Sequence, residues 1–184
     1  MLQEIRQCKK CGLCCNQQPL LDEMKTCEIF WVGLSAKKIN SDEEIPLSPS
    51  TNTGMLIQMV EEMLDNVETY KTNLVKCVPL DDNLKLRYPN KREIDDCFDH
   101  LQSEIRELSP KIVFLLGEKV YSSVSRHFDI KFDKWNGFDY DYKEFEGTYY
   151  VPIHHPSYIY VYQRKNIKRY IQSIENIINT LICL

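Results

Sequence analysis

Four short apolar runs punctuate the chain: "EIFWVG" at 28–33, "YKTNLV" at 70–75, "KIVFLLG" at 111–117 and "TYYVPI" at 148–153. They are rich in β-branched and aromatic residues, too brief for helices, and more continuous than half-solvated strands would be. Strands of this kind are buried on both faces, as in a parallel sheet. Helical spacing fills the gaps between them. Residues 54–67 carry Leu56, Val60, Met63, Leu64 and Val67, and residues 90–108 carry Ile94, Cys97, Leu101, Ile105 and Leu108 before Ser109-Pro110. Residues 118–128 are a shorter candidate, and Ile167, Tyr170, Ile171, Ile174, Ile177, Ile178 and Leu181 form one apolar stripe along the last helix. The alternation predicts a three-layer α/β/α sandwich with a central, mostly parallel four-stranded sheet, and sites beyond the carboxyl ends of its strands. Residues 129–147, acidic, aromatic and irregular, read as an excursion or hairpin.

At 184 residues and 43% hydrophobic, the chain suits one domain over 1–184 with a core of its own. There is no internal repeat or low-complexity tract. The N-terminal stretch has no apolar segment and no run approaches a membrane span, so a cytoplasmic protein without membrane contact is expected. Thiols stay reduced there, and close cysteine pairs bind metal more often than they form disulfides. A net charge of −4 disfavours bulk electrostatic coating of nucleic acid but leaves room for a local basic patch.

Eight cysteines are many for such a chain, and Cys8, Cys11, Cys14 and Cys15 crowd into eight residues. Cys8 and Cys11 form a CxxC; Cys77 follows the second strand run and Cys97 lies in a helix. A zinc ribbon would repeat CxxC for its second pair. The wide second spacing suits a bulkier cluster clamped by four thiolates, although spacing alone does not separate cluster from zinc. Small buried hydrophobes are the plain expectation for Cys14, Cys15, Cys27 and Cys183.

The neighbours of these cysteines carry a resemblance. "YKTNLVKCVPLDDNLKLRYPNKREIDDC" supplies Thr72, Asn73, Val75, Lys76, Cys77 and Pro79, then Arg87 and Pro89, then Glu93 and Cys97. Together with Cys8, Cys11 and Leu13, "SPKIVFLLGEKV" and "HHPSY" at 154–158, this resembles the family-4, iron–sulfur uracil-DNA glycosylases from about residue 8 to the end. The resemblance implies a [4Fe–4S] cluster on Cys8, Cys11, Cys77 and Cys97, with segment 8–27 packed as part of its site. A shifted pair, Cys11 and Cys14, and zinc instead of the cluster are the alternatives. DNA is the implied partner; no obligate protein partner is evident, and a monomer is expected.

Glycosidic cleavage in DNA requires the nucleotide to leave the stack, the departing base to be stabilised as an anion, and water to meet the sugar. Asn73, at a strand end, carries both donor and acceptor for a pyrimidine edge; elsewhere such an asparagine is usually a turn residue. His155, before Pro156-Ser157, stabilises charge on the base as a neutral imidazole, while His154 is the structural histidine of the pair. "SYIYVYQRKNIKRY" interleaves tyrosines with Arg164, Lys165, Lys168 and Arg169. In the resembled family the H-P-S loop enters the DNA groove. Ser157, Tyr158, Arg164, Lys165 and Lys168 are therefore the DNA-binding candidates, and Tyr158, Ile159 or Tyr160 the wedge. A solvated charged face is the simpler alternative for the cations.

The first motif departs from the family. The family reads roughly G-E-x-P-G after its first strand, where this chain has "VGLSAKKINSDEEIPLSPSTNTG". Leu34 occupies the carboxylate position that orients water, with Ser35 beside it in the substrate-binding set; Lys37 replaces the second glycine. Leu47 takes the place of the aromatic that stacks on the base, and 48–53 looks like a remodelled polar loop. Asp42, Glu43 and Glu44 are acids near enough in sequence to replace the lost carboxylate, although solvated loop acids are the plainer reading. The superfamily includes enzymes that excise modified pyrimidines, among them bulky phage bases in antiviral defence. The expectation is a monofunctional DNA glycosylase for a modified pyrimidine. An ordinary uracil-DNA glycosylase of base-excision repair, a non-catalytic binder of flipped bases and a zinc-binding module are the other readings.

Overall fold

Alternation along each strand divides the core in two. In a computed structural model, describing residues 1–182 apart from 24, 40, 42, 43 and 65, β1 (Ile29–Ser35) sends Ile29 and Trp31 to one face of the sheet and Phe30 and Val32 to the other. β3 (Ile112–Leu116) divides in the same way. Both faces are apolar, which is why the runs lack polar alternation. On one face lie α3 (Lys91–Leu108) and α4 (Glu118–Phe128); on the other lie α2 (Asn52–Glu61), α5 (Pro156–Tyr162) and α6 (Ile167–Ile182). A short α1 (Leu2–Arg6) and a 3-10 turn (Gly12–Cys15) precede the sheet.

The sheet has five strands, not the four expected. With β2 (Thr69–Val75), β4 (Lys143–Phe145) and β5 (Thr148–Ile153) the order is β2-β1-β3-β5-β4, parallel except for β4. The extra strand is the hairpin within 129–147: Glu146 and Gly147 both have positive φ, the conformation that a two-residue turn needs to match strand twist. Three residues are too few for a recognisable period. Two helices also differ from expectation. α2 starts at Asn52, capped by the Thr51 side chain, and ends at Glu61 rather than Val67; Leu64 and Val67 still pack on the core without being helical. α5 was not foreseen, its seven residues being too short for an apolar stripe.

The chain leaves β1 for β2 on one side and returns to β3 on the other, so strand order reverses between β1 and β3. A crevice opens beyond the carboxyl ends at such a point. Among the described residues, no helix is long and apolar enough to cross a membrane.

Candidate active site and cysteine cavity

A cleft of about 880 Å³ lies at this reversal, lined by the ends of all four parallel strands. Asn73 of β2 is almost fully buried, and Gly33 of β1 is its partner in register. A Cβ on Gly33 would stand 2.5 Å from Asn73 Oδ1 and 2.9 Å from Leu47 Cδ2, so the missing side chain lets the amide lie over β1. Gly117, just past β3, has φ +89 and its Cβ would come 3.1 Å from His155 Cβ. Asn73 and His155 therefore reach the cleft from β2 and β5, three strand spacings or roughly 14 Å apart at the backbone. Glycine stands near the carboxyl end of both strands between them, Gly33 within β1 and Gly117 just past β3.

The two histidines are separated by their surroundings. His155 is the N-cap of α5, its Nδ1 accepting the Ser157 N–H at 3.3 Å. An accepting Nδ1 leaves the proton on Nε2, which is then a donor. Burial lowers the His155 pKa, so the neutral ring is the stable form. His154 instead bonds Tyr140 Oη through Nδ1 at 3.0 Å, packs 4.2 Å from Trp135, and its carbonyl accepts from Tyr170 Oη at 2.9 Å. It belongs to the packing behind β5.

Leu34, Ser35 and Leu47 all line the cleft, with Leu47 at φ 51. Thr51 and Thr53 border it from the start of α2. Loop 48–53 is held by Ser48 O, which accepts from both Thr51 N and Thr51 Oγ1. Glu44 is paired with Lys37 at 2.6 Å and is not among the cleft-lining side chains, while Asp42 and Glu43 lie outside the described residues. Among the described lining residues the one carboxylate is Glu118, at the start of α4.

The DNA-binding candidates divide. Ser157 and Tyr158 line the cleft; Arg164, Lys165 and Lys168 do not. Arg164 and Lys165 sit on a 3-10 turn (Arg164–Asn166), with Arg164 4.7 Å over the Tyr160 ring, and Lys168 is exposed in the first turn of α6. Ile159 is wholly buried against the core and Tyr160 half-buried, so of the three wedge candidates Tyr158 keeps the exposed position. Sequence reasoning missed Glu118, Lys119, Leu86, Tyr88, Val161 and Tyr162 at the cleft, because nothing local marks which loops meet there.

Past the end of β2, Cys8, Cys11, Cys77 and Cys97 come together around a small cavity. Segment 8–27 reaches it through Leu20 N to Lys76 O at 2.9 Å, Asn16 Nδ2 to Val78 O at 2.9 Å and a Lys10–Asp99 ion pair. Cys14 is a fifth thiol on the cavity wall, half-buried, its Sγ donating to Cys11 O at 3.2 Å; Cys15 is exposed. Both depart from the expected buried hydrophobe, because the 3-10 turn at 12–15 directs Leu13 inward instead. Cys27 is buried as expected, and Cys183 lies outside the described residues. No three described His, Cys, Asp or Glu side chains converge closely enough for a single metal ion. A cubane, by contrast, takes four thiolates set apart around its corners. Burial pushes the Cys97 thiol up, opposed by the Lys76 charge and by Lys76 N–H, which donates to Cys97 Sγ at 3.4 Å. The donor set fits a cluster. Burial, reinforced by the neighbouring thiols, pushes Cys77 up to about 12, so loading must displace protons.

Lys76 joins the two regions. Its Nζ, wholly buried, donates to Asn73 O at 2.6 Å and Thr72 Oγ1 at 2.7 Å and pairs with Glu104, which also accepts from Tyr70 Oη at 3.1 Å. Burial and Glu104 together push the Tyr70 phenol well up, keeping it a donor.

The model of the uracil DNA glycosylase superfamily matches residues 15–178. The chain belongs to that superfamily, and is a DNA glycosylase, a hydrolase of N-glycosyl bonds. Within it, the chain is similar to the type-4 uracil-DNA glycosylase of Sulfurisphaera tokodaii (strain DSM 16993 / JCM 10545 / NBRC 100140 / 7). The two are 31% identical over 165 residues, covering 84% of this chain and 72% of the relative.

Proposed function

We propose that this glycosylase flips a pyrimidine out of DNA into the cleft and favours one bulkier than uracil. The observation that carries the catalytic reading is the His155 imidazole, partly buried, neutral and with Nδ1 engaged by Ser157 N–H. As the C1′–N1 bond breaks, its electron pair passes to the base and spreads onto the C2 carbonyl oxygen, where the His155 Nε2–H stabilises it. The Asn73 amide reads the opposite edge; it pairs with a uracil or a cytosine edge by turning over. Water adds to C1′ and its proton ends on the departed base anion, leaving an abasic site and the neutral free base. Leu34 cannot orient that water, and Glu118 is the acid available from the cleft wall. The preference for a larger base is supported by Leu34 and Leu47, where the resembled enzymes carry a carboxylate and a stacking ring.

Cys8, Cys11, Cys77 and Cys97 hold a [4Fe–4S] cluster in this reading. When bound it cross-links segment 8–27 to β2 and α3 and takes no part in the hydrolysis.

The test is release of free base from DNAs containing uracil, cytosine, or hydroxymethylated or glucosylated cytosine, run beside Asn73→Ala. Release of a modified base in preference to uracil is expected. Release of uracil alone makes this a repair enzyme and removes the specificity reading; binding without release from any DNA favours a flipped-base binder.

A further inference from the structure

We propose that the loop from Pro79 to Pro89 enters duplex DNA from the side of the cleft opposite Tyr158, with Leu84 at its tip as a second wedge in the stack that the extruded nucleotide vacates. This rests on the chain acting as a glycosylase on DNA. Leu84, Leu86 and Tyr88 are 65%, 56% and 70% exposed, a run of large apolar side chains turned to solvent. Patches of this kind mark interaction sites.

Leu84 is held out, not left out. It has φ 58, the left-handed conformation that leucine adopts at a cost and glycine or asparagine would adopt without one. The turn imposes it: Asp81 Oδ1 accepts from Asn83 N at 2.9 Å and Lys85 N at 2.8 Å, and Asp81 O accepts from Leu84 N at 2.9 Å. Lys38 Nζ donates to Leu84 O. Arg87 clamps the base of the loop, donating from N to Pro79 O and from Nε to Leu80 O while its guanidinium grips Glu93 at 2.8 and 2.5 Å. A strained residue persists where its surroundings over-determine it, and such places are functional more often than chance allows. Inside this chain the leucine gains nothing, since its side chain meets water.

Position and charge indicate the occupant. Leu86, Arg87 and Tyr88 line the same cleft as Tyr158, Val161 and Tyr162, so the loop rims one side of the base pocket and α5 the other. Lys38, Lys85 and Lys119 are exposed around the loop, Lys119 Nζ lying 4.7 Å over the Tyr88 ring. Of the nearby acids, Asp81 is occupied by the turn's own amides, leaving exposed Asp82 and Glu118. An apolar tip between cations is the pattern of a side chain wedged between base pairs with phosphates on both flanks. The pre-ordered loop loses little entropy on insertion. A single strand has no stack to fill, so the wedge acts on duplex alone.

The experiment measures affinity of the full-length protein for a duplex with a tetrahydrofuran abasic site and for the same abasic strand alone, with 2-aminopurine beside the gap. Leu84→Ala is expected to weaken duplex binding about tenfold and to leave single-strand binding unchanged, and Leu84→Phe to retain duplex affinity. Equal loss on both DNAs, or none on either, overturns the wedge. Binding to an abasic site does not depend on which base is excised, so failure to release uracil bears only on specificity. A wild-type protein that binds neither DNA overturns the DNA reading and the wedge together, whereas failure of the wedge alone leaves wild-type binding to both intact.

Discussion

Asn73 and Cys77 lie four positions apart at the end of β2, yet the regions they serve are built differently. Around Cys77 the cavity is small, about 20 Å³, and the thiols come from the N-terminal segment, the strand end and α3. Around Asn73 the cleft is open, floored by backbone at two glycines and walled by loops. A cluster needs one donor at each corner, so every ligand must be present by type. A base pocket needs a shape, which leucines, threonines and loop backbone can supply in many combinations. The donor positions therefore match the family pattern while 34–54 departs from it. Lys76 is the bridge, touching Cys97 Sγ through its amide and Asn73 O through its ammonium.

Breaking that bridge should have the largest effect. Glu104→Ala leaves the Lys76 ammonium buried without its carboxylate, which costs about 3–5 kcal/mol. A thermal melt should show the loss, with iron content and base release falling together; a variant as stable as the wild type would remove Lys76 as the link. His155→Ala isolates the cleft from the cavity. Base release should fall about 10²- to 10³-fold while DNA binding and iron content hold, and an unchanged single-turnover rate would place the anion stabiliser elsewhere.

A smaller change sharpens the contrast in specificity. Leu47→Phe restores a ring above the Gly33 floor, and should lower release of a bulky pyrimidine about tenfold relative to uracil. If the ratio of the two rates does not move, Leu47 is not a specificity residue. The weakest effect is that of pH. Burial lowers the pKa of His100, His154 and His155 from 6.5. The unfolded chain then binds protons that the folded chain refuses, so stability is fully present above 6.5 and is lost as pH falls through the lower, folded values. His155→Ala should shallow that acid limb in denaturant titrations; an identical limb would mean that its ring is not held neutral.

Much of the site could be read from residues 72–77 and 154–157, because its motifs are local: an amide at a strand end, a histidine before Pro-Ser. The fifth strand could not, since Lys143–Phe145 is three residues long and owes its existence to the Glu146-Gly147 turn and to the free edge of β5. Nor could the place of Cys14 be read, because a 3-10 turn, not sequence spacing, sets which of the crowded thiols face the cavity. The cations at 164–168 look like part of the cleft along the chain, but they follow the end of α5, on a 3-10 turn and the start of α6, outside the cleft lining.

By itself the sequence determined the layered α/β class and, through its motifs, marked Asn73, His155 and four thiols as the proposed site residues, because periodicity and motif are properties of neighbouring residues. Tertiary structure decided what those residues meet. It laid Asn73 against Gly33 and His155 against Gly117, engaged His155 Nδ1 so that Nε2 keeps the proton, joined cleft to cavity through Lys76, and turned Leu84 outward beside the cleft. Each of these depends on groups distant in the chain arriving within a few ångströms of one another, and packing alone sets those distances.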